Sequence, residues 1–470
     1  MTETAPANDT GTVEREPRSW RNFVTSSGID TRLLGMIVAL AVIWIAFHLM
    51  SGNVGTNNKF YDIPGNWSNG KFITSRNLWN LSVQSASIAV MATGMVLIIV
   101  TRNIDLSVGS LLGFLGYTMA LVQTQGKISA LGINITIGSL ARHQWYTWLV
   151  ALAIGIVLGG LIGALQGSLV AYVGVPAFIV TLGGFLAWRG LIFRTGGTKG
   201  QTLAPLDQTF RYLGGAPERS LGDWKTWIVA GAVCVALVAT IVLARRRRRQ
   251  HDLAVRSMAI DAGFAVAGCA AVLLGVYLIA LRYKSPVSGE AVGIAYPVLI
   301  LIGVTLLMTY LARRRRFGRY VYAYGGNPEA AELGGINTRR TITYTYMVMG
   351  MLCAVSAGIQ TARLNSATTN LGIQNELDVI AAAVIGGTSF SGGIGTIPGA
   401  VLGAVVMQSL RSGMSLLNID SPSQDIVVGI VLVTAVAIDA LLRQRRRSGM
   451  FGALAGGVIV AAWVIQTGRP

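Results

Sequence analysis

The chain has 470 residues, of which 52% are hydrophobic and only 12% charged, with a mean hydropathy of +0.57. A water-soluble domain carries about 25% charged residues, so lipid must be the solvent for most of this surface; a soluble enzyme, a secreted disulfide scaffold and a disordered regulator are excluded. The net charge of +18 gathers in arginine runs at 245–249, 313–316 and 443–447, at the ends of apolar stretches. That is the positive-inside pattern of cytoplasmic loops, not a nucleic-acid footprint.

Residues 1–32 are polar and mixed in charge, which predicts a disordered cytoplasmic tail. Glu3, Asp9, Glu14 and Glu16 precede any apolar run, unlike a cleaved signal peptide. Apolar stretches follow at 33–50, 78–100, 106–122, 146–173, 177–193, 226–244, 257–281, 294–312 and 343–361, and later at 378–410, 425–442 and 449–465. Each is weighed against the roughly 20 residues that span a bilayer. With the N-terminus inside, runs 245–249 and 313–316 both fall inside. The expected fold is an all-α, polytopic membrane protein with about 11–13 crossings. Its expected division is a tail at 1–32, a membrane domain at 33–448 and an extra apolar segment at 449–470.

The stretch 378–410 is too long for one span, and Gly386, Gly387, Gly392, Gly393 and Gly395 interrupt it. Irregular backbone at membrane depth survives only inside protein or along a cavity. A re-entrant or broken-helix element near the middle of the protein is therefore expected, and it also returns run 443–447 to the inner side. Gly155, Gly159, Gly163 and Gly167 recur every four residues, a helix-packing ladder. Gly109–Gly113 and Gly395–Gly399 each follow an apolar run and a polar break; paired interruptions of this kind point toward a transport pathway.

No phosphate-binding loop, zinc-protease motif or nucleophile elbow occurs. The three cysteines, Cys234, Cys269 and Cys353, read as small buried hydrophobes, and the three histidines lack metal-ligand spacing. Of the acids Asp105, Asp261, Asp378 and Asp439, all but Asp261 lie near span ends, where water is expected to reach them. Ion-driven carriers place ionisable groups at mid-membrane, so energy is expected from another subunit. The longest inner polar stretch, 313–340, contains Asn327 as an N-cap, Pro328 at the first helical position, Glu329 and Glu332 at the positive dipole end, and Gly334-Gly335 as a stop. A short capped helix on the inner face fits a docking knob or a plain surface helix equally well.

The runs Gly94–Val100 with Asn103–Ser110, Val175–Gly183, Tyr324–Ala331 and Ala383–Ser389 with Gly392–Thr396 resemble the permease subunits of bacterial sugar ABC importers, the ribose, xylose and galactose group. The matches are in order across about residues 78–442, and the extra span between the first two arginine runs is most similar to xylose-type members. The resemblance implies a type II importer permease in the bacterial inner membrane, multi-pass with its N-terminus cytoplasmic. It implies a second copy of the permease, cytoplasmic ATPase subunits that hold the ATP and Mg²⁺, and an extracytoplasmic sugar-binding protein. Asn327, Pro328, Glu329, Ala330, Ala331, Gly334, Gly335 and Ile336 match the segment that docks the ATPase. Translocation candidates are Asn80, Gln84, Ser85, Asp105, Ser107, Phe178, Thr181, Gly386, Gly387, Thr388 and Ser389. No catalytic residue, metal or cofactor is expected in this chain itself, and the competing reading is an ion-coupled sugar or metabolite carrier.

Overall fold

The computed structural model describes residues 31–53, 67–130, 133–136, 146–196, 201–204, 206–251 and 257–446. The expected N-terminal tail (but for its last two residues) and the segment 449–470 lie outside them. Five helices come first: α1 (Thr31–Asn53), α2 (Ser75–Val100), α3 (Val108–Gln125), α4 (Thr147–Ser168) and α5 (Ala177–Gly196). Between α3 and α4 the strands β1 (Lys127–Ala130) and β2 (Ile133–Thr136) pair antiparallel. Next are α6 (Asp223–Gln250), α7 (Met258–Val276), α8 (Tyr296–Arg314) and two short helices, α9 (Arg316–Gly326) and α10 (Pro328–Leu333). The chain closes with α11 (Thr338–Leu364), α12 (Asn375–Ile385), α13 (Ile397–Leu416) and α14 (Ser421–Arg446). Eight helices among the described residues are long and apolar enough to cross a membrane.

The helix α2 forms the axis of the bundle, with Ser85–Val100 buried without interruption. Around it pack α8, α11, α12 and α13. The glycine ladder of α4 lies on α11. A Cβ on Gly159 would sit 2.3 Å from the Gly350 carbonyl oxygen, and one on Gly163 would sit 2.2 Å from that of Tyr346. Backbone meets backbone there, as the small-residue spacing predicts. By contrast, α6 and α7 are mostly exposed and pack chiefly on each other. Arg245 of α6 pairs with Asp261 of α7 at 2.6 Å, and the Cys234 and Cys269 thiols each lie 3.9 Å from the other's carbonyl oxygen.

The apolar stretch 378–410 is broken. Its first part, α12, has 11 residues, about 17 Å at 1.5 Å per residue, half of a roughly 30 Å hydrocarbon core. The second part, α13, has 20 residues and is long enough to cross. Gly387, Gly392 and Gly393 turn the chain between them at φ +87°, +84° and +72°, a region open to glycine at little cost. The sequence reading expects this break near the middle of the protein, and it does not lie there. It sits at the arginine-rich end, where Gly393 N–H donates to Val100 O at 3.0 Å and Tyr322 Oη donates to Gly395 O at 2.8 Å. The reason is that α12 starts partway down the bundle and has already reached that end when it stops.

Two acids expected near water are buried. Asp105 is 2% exposed and Asp378 4% exposed. Asp105 lies in the break between α2 and α3, which carries the chain back into the bundle before α3 begins. There its Oδ1 accepts from Ser107 N at 2.9 Å and Ser107 Oγ at 2.6 Å. The side chain of Asp439 lies outside the described residues.

Candidate functional site

Four segments of the bundle each carry polar side chains three residues apart: Gln84 and Ser87 on α2, Gln360 and Arg363 on α11, Asn375 and Asp378 on α12, Gln408 and Arg411 on α13. Spacing of three puts both members on one helix face, and tertiary packing turns all four faces toward one cavity of about 190 Å³. Its remaining walls are Val83, Ile88, Ile359, Ile373 and Gln374.

Within it the side chains are already paired. Gln408 Nε2 donates to Gln84 Oε1 at 2.7 Å, and Asn375 Nδ2 donates to Gln360 Oε1 at 3.1 Å. Arg411 donates through Nη2 and Nε to Asp378 Oδ1 at 2.9 and 3.1 Å, and through Nη1 to Asp425 Oδ1 of α14 at 3.2 Å. The guanidinium thereby ties α12, α13 and α14 together. A buried carboxylate is tolerated when it is paired and hydrogen-bonded in this way.

A second polar node is the α2–α3 break. Ser107 Oγ hydrogen-bonds Asp105 and Gln166 of α4, whose Nε2 donates back at 3.0 Å. Thr181 of α5 is buried, its Oγ1 donating to Ala177 O at 2.9 Å within reach of Ile104 O at 3.4 Å. Here polar groups hold a non-helical turn inside the protein.

A third feature is the face at the arginine-rich end. Asn327 caps α10, its Oδ1 accepting from Ala330 N at 3.1 Å, with Pro328 in the first turn. The helix stops after six residues. Gly335, at φ +79°, donates to Glu332 O, and Ile336 N donates to Ala331 O at 3.0 Å, which is a Schellman close. Glu329, Ala330, Glu332, Gly334 and Gly335 face outward, whereas Ala331 is packed into the bundle and only 5% exposed. Leu333 is 91% exposed. Behind this face Arg102, between α2 and α3, donates to Gly325 O at 2.9 Å and Gly326 O at 2.8 Å. The same Gly325 lies against Gly393 of the break, so α9–α10 is fastened to both interruptions of the bundle.

The residues singled out from sequence are distributed over these three places. Gln84 lines the cavity; Asn80 is half-buried one turn away, and Ser85 faces into α2's own packing, its Oγ donating to Ser82 O at 3.1 Å. Asp105, Ser107 and Thr181 form the buried node. Phe178 is exposed on the outer side of α5. Gly386 lets α12 and α13 touch: a Cβ there would lie 2.5 Å from Gly399 O. Beside it lies Gly387, Thr388 Oγ1 is buried with no hydrogen-bond partner, and Ser389 Oγ pairs with Ser391 Oγ at 2.6 Å. Sequence reasoning missed Gln360, Arg363, Asn375, Asp378, Gln408 and Arg411 as one group. The signal that finds them is the repeated i, i+3 spacing of polar residues on apolar spans.

The family described as "branched-chain amino acid transport system / permease component" matches residues 77–249 and 290–436. The chain belongs to this permease family. It is 34% identical over 421 residues to the xylose transport system permease protein XylH of Haemophilus influenzae, covering 89% of this chain and 98% of that one. To XylH of Escherichia coli K12 it is 36% identical, over 80% of this chain and 88% of that protein. To the ribose import permease protein RbsC of the same strain it is 33% identical, over 78% and 87%. No solved structure matches. The family match skips residues 250–289, so the helix α7 is an insertion relative to the common permease body.

Proposed function

We propose that this permease is the membrane subunit of an ATP-driven sugar importer, with a pentose such as xylose as its favoured cargo. The observation that carries this reading is the near full-length likeness to two xylose permeases, joined to a bundle that holds a polar cavity toward one end and a capped helix at the other. The arginine-rich end is taken as cytoplasmic on the positive-inside argument, which puts the N-terminus inside as well. Two copies form the pore. ATPase subunits bind ATP and Mg²⁺ and dock on α9–α10, and an extracytoplasmic binding protein delivers the sugar at the opposite end.

The geometry suits alternating access. A push on α10 reaches Gly325, and through it both Arg102 and the glycine break between α12 and α13. Those two breaks flank the half-length helix whose first turn lines the cavity. Movement of α12 thereby links ATPase closure to the cavity, provided the two ATPase states contact α10 differently.

Uptake of labelled pentoses and hexoses into proteoliposomes tests this, with the permease reconstituted alongside its ATPase and binding protein. ATP-dependent accumulation of a pentose is expected. Accumulation driven by a proton or sodium gradient without the ATPase would overturn the importer reading in favour of a secondary carrier.

A further inference from the structure

The cavity between α2, α11, α12 and α13 has the chemistry of a site for a neutral polyhydroxylated solute. We infer that the sugar is held there during passage, with Gln84, Gln360, Asn375 and Gln408 as its hydrogen-bonding residues. This inference rests on the importer reading above.

Three properties of the cavity lead to it. The first is charge. Arg411 is paired with Asp378 and, behind it, with Asp425, so the lining has no carboxylate left over for an ammonium group. An amino acid zwitterion needs one group for its ammonium and another for its carboxylate. Asp378 and Arg411 are already committed to each other. A neutral sugar asks for neither. The second is the amides. Each carboxamide offers two donors and an accepting oxygen, and each sugar hydroxyl both donates and accepts. The two amide pairs, Gln84–Gln408 and Gln360–Asn375, exchange one hydrogen bond each and keep capacity for vicinal hydroxyls. The third is the wall. Val83, Ile88, Ile359 and Ile373 are aliphatic, and among the described residues no aromatic ring lines the cavity. Without a ring to stack on, the sugar is held by hydrogen bonds alone, which gives weak retention and rapid release.

The position is also apt. Gln84 and Gln408 lie 324 residues apart in sequence and come from the central helix and the helix after the glycine break. Arg411 ties that wall to α14. A shift of α12 changes the Asn375–Gln360 and Asp378–Arg411 contacts together, so the cavity cannot stay unchanged when the break moves.

The test is protection from thiol labelling at the mouth of the cavity. Gln374→Cys is made in the full-length chain, and modification by a water-soluble methanethiosulfonate is followed by peptide mass at position 374. With a Kd on the order of 1 mM, xylose at about 100 mM fills nearly every site and slows labelling at least fivefold. Valine at the same concentration leaves the rate unchanged. Adding Gln84→Leu and Gln408→Leu abolishes protection by xylose; should that pair fail to insert, Gln360→Met serves in its place. No protection by xylose, or equal protection by valine, overturns the inference. The wild-type uptake assay separates the two readings. ATP-driven pentose uptake without protection leaves the importer standing and removes the cavity, whereas absence of ATP-driven sugar uptake removes the importer itself.

Discussion

Leu333 at the end of α10 offers a quantitative test of the docking face. The side chain is 91% exposed, so the permease's own fold gains almost nothing from it. If the ATPase covers α10, that exposure is lost on docking. Truncation to Ala removes three carbons, each worth about 0.8 kcal/mol when buried, or ~2.4 kcal/mol in all. At 1.4 kcal/mol per tenfold, Leu333→Ala weakens ATPase association about 50-fold. Titration of the purified ATPase onto permease in nanodiscs measures this directly. Met258→Ala, at a residue 75% exposed at the same end but on the inserted helix, is the control and leaves affinity unchanged. Ala331→Trp is a poorer probe, because Ala331 is 5% exposed and packed inward; overpacking there costs about 1–3 kcal/mol of the permease's own stability. Equal ATPase affinity for wild type and Leu333→Ala would refute the assignment of α10 as the docking contact.

Gly163→Ala drives a Cβ to 2.2 Å from the Tyr346 carbonyl, whereas Gly183→Ala on α5 meets nothing within 4 Å. Both changes gain the same helix propensity, so the first is expected to fall below the second by about 1–3 kcal/mol, read as thermal stability in detergent. Arg411→Gln leaves Asp378 buried without its cation and costs about 3 kcal/mol; Arg411→Gln with Asp378→Asn recovers part of that in the same assay. Single cysteines beside runs 245–249 and 313–316 and at Arg443 resist impermeant thiol reagents added from outside, while one at Ser421 reacts. Labelling beside Arg443 from outside contradicts the broken pair α12–α13. The purified chain alone hydrolyses no ATP, and vanadate-sensitive turnover by it contradicts the division of labour proposed here.

Much of the architecture was legible because its signals are local. Bilayer thickness sets span length, so hydropathy alone marked the long helices. Caps act within one turn, and Asn327, Pro328 and Gly335 therefore announced α10 and its end. The four-residue glycine spacing announced a close helix contact, though not that its partner is α11 at Gly350 and Tyr346. The glycine break in 378–410 was visible as an interruption, since a helix cannot run through it undisturbed. Its depth was not visible, because that depends on where α12 starts relative to α2.

The cavity belongs to tertiary structure. A polar pair three residues apart on one apolar helix has several possible uses, and Gln84 with Ser87 looks no different alone from a helix–helix hydrogen bond. Its meaning comes from three other helices bringing Gln360, Asn375, Asp378, Gln408 and Arg411 to the same place. The burial of Asp105 and Asp378 has the same origin: position near a span end suggested water, but the turn between α2 and α3 folds inward and Arg411 reaches across from α13. Sequence determined that the chain lives in lipid, how long its helices are and where they are capped, because those depend on neighbours along the chain. Which polar groups share a cavity was decided by packing, because it depends on neighbours in space that lie on different helices, up to 324 residues apart for Gln84 and Gln408.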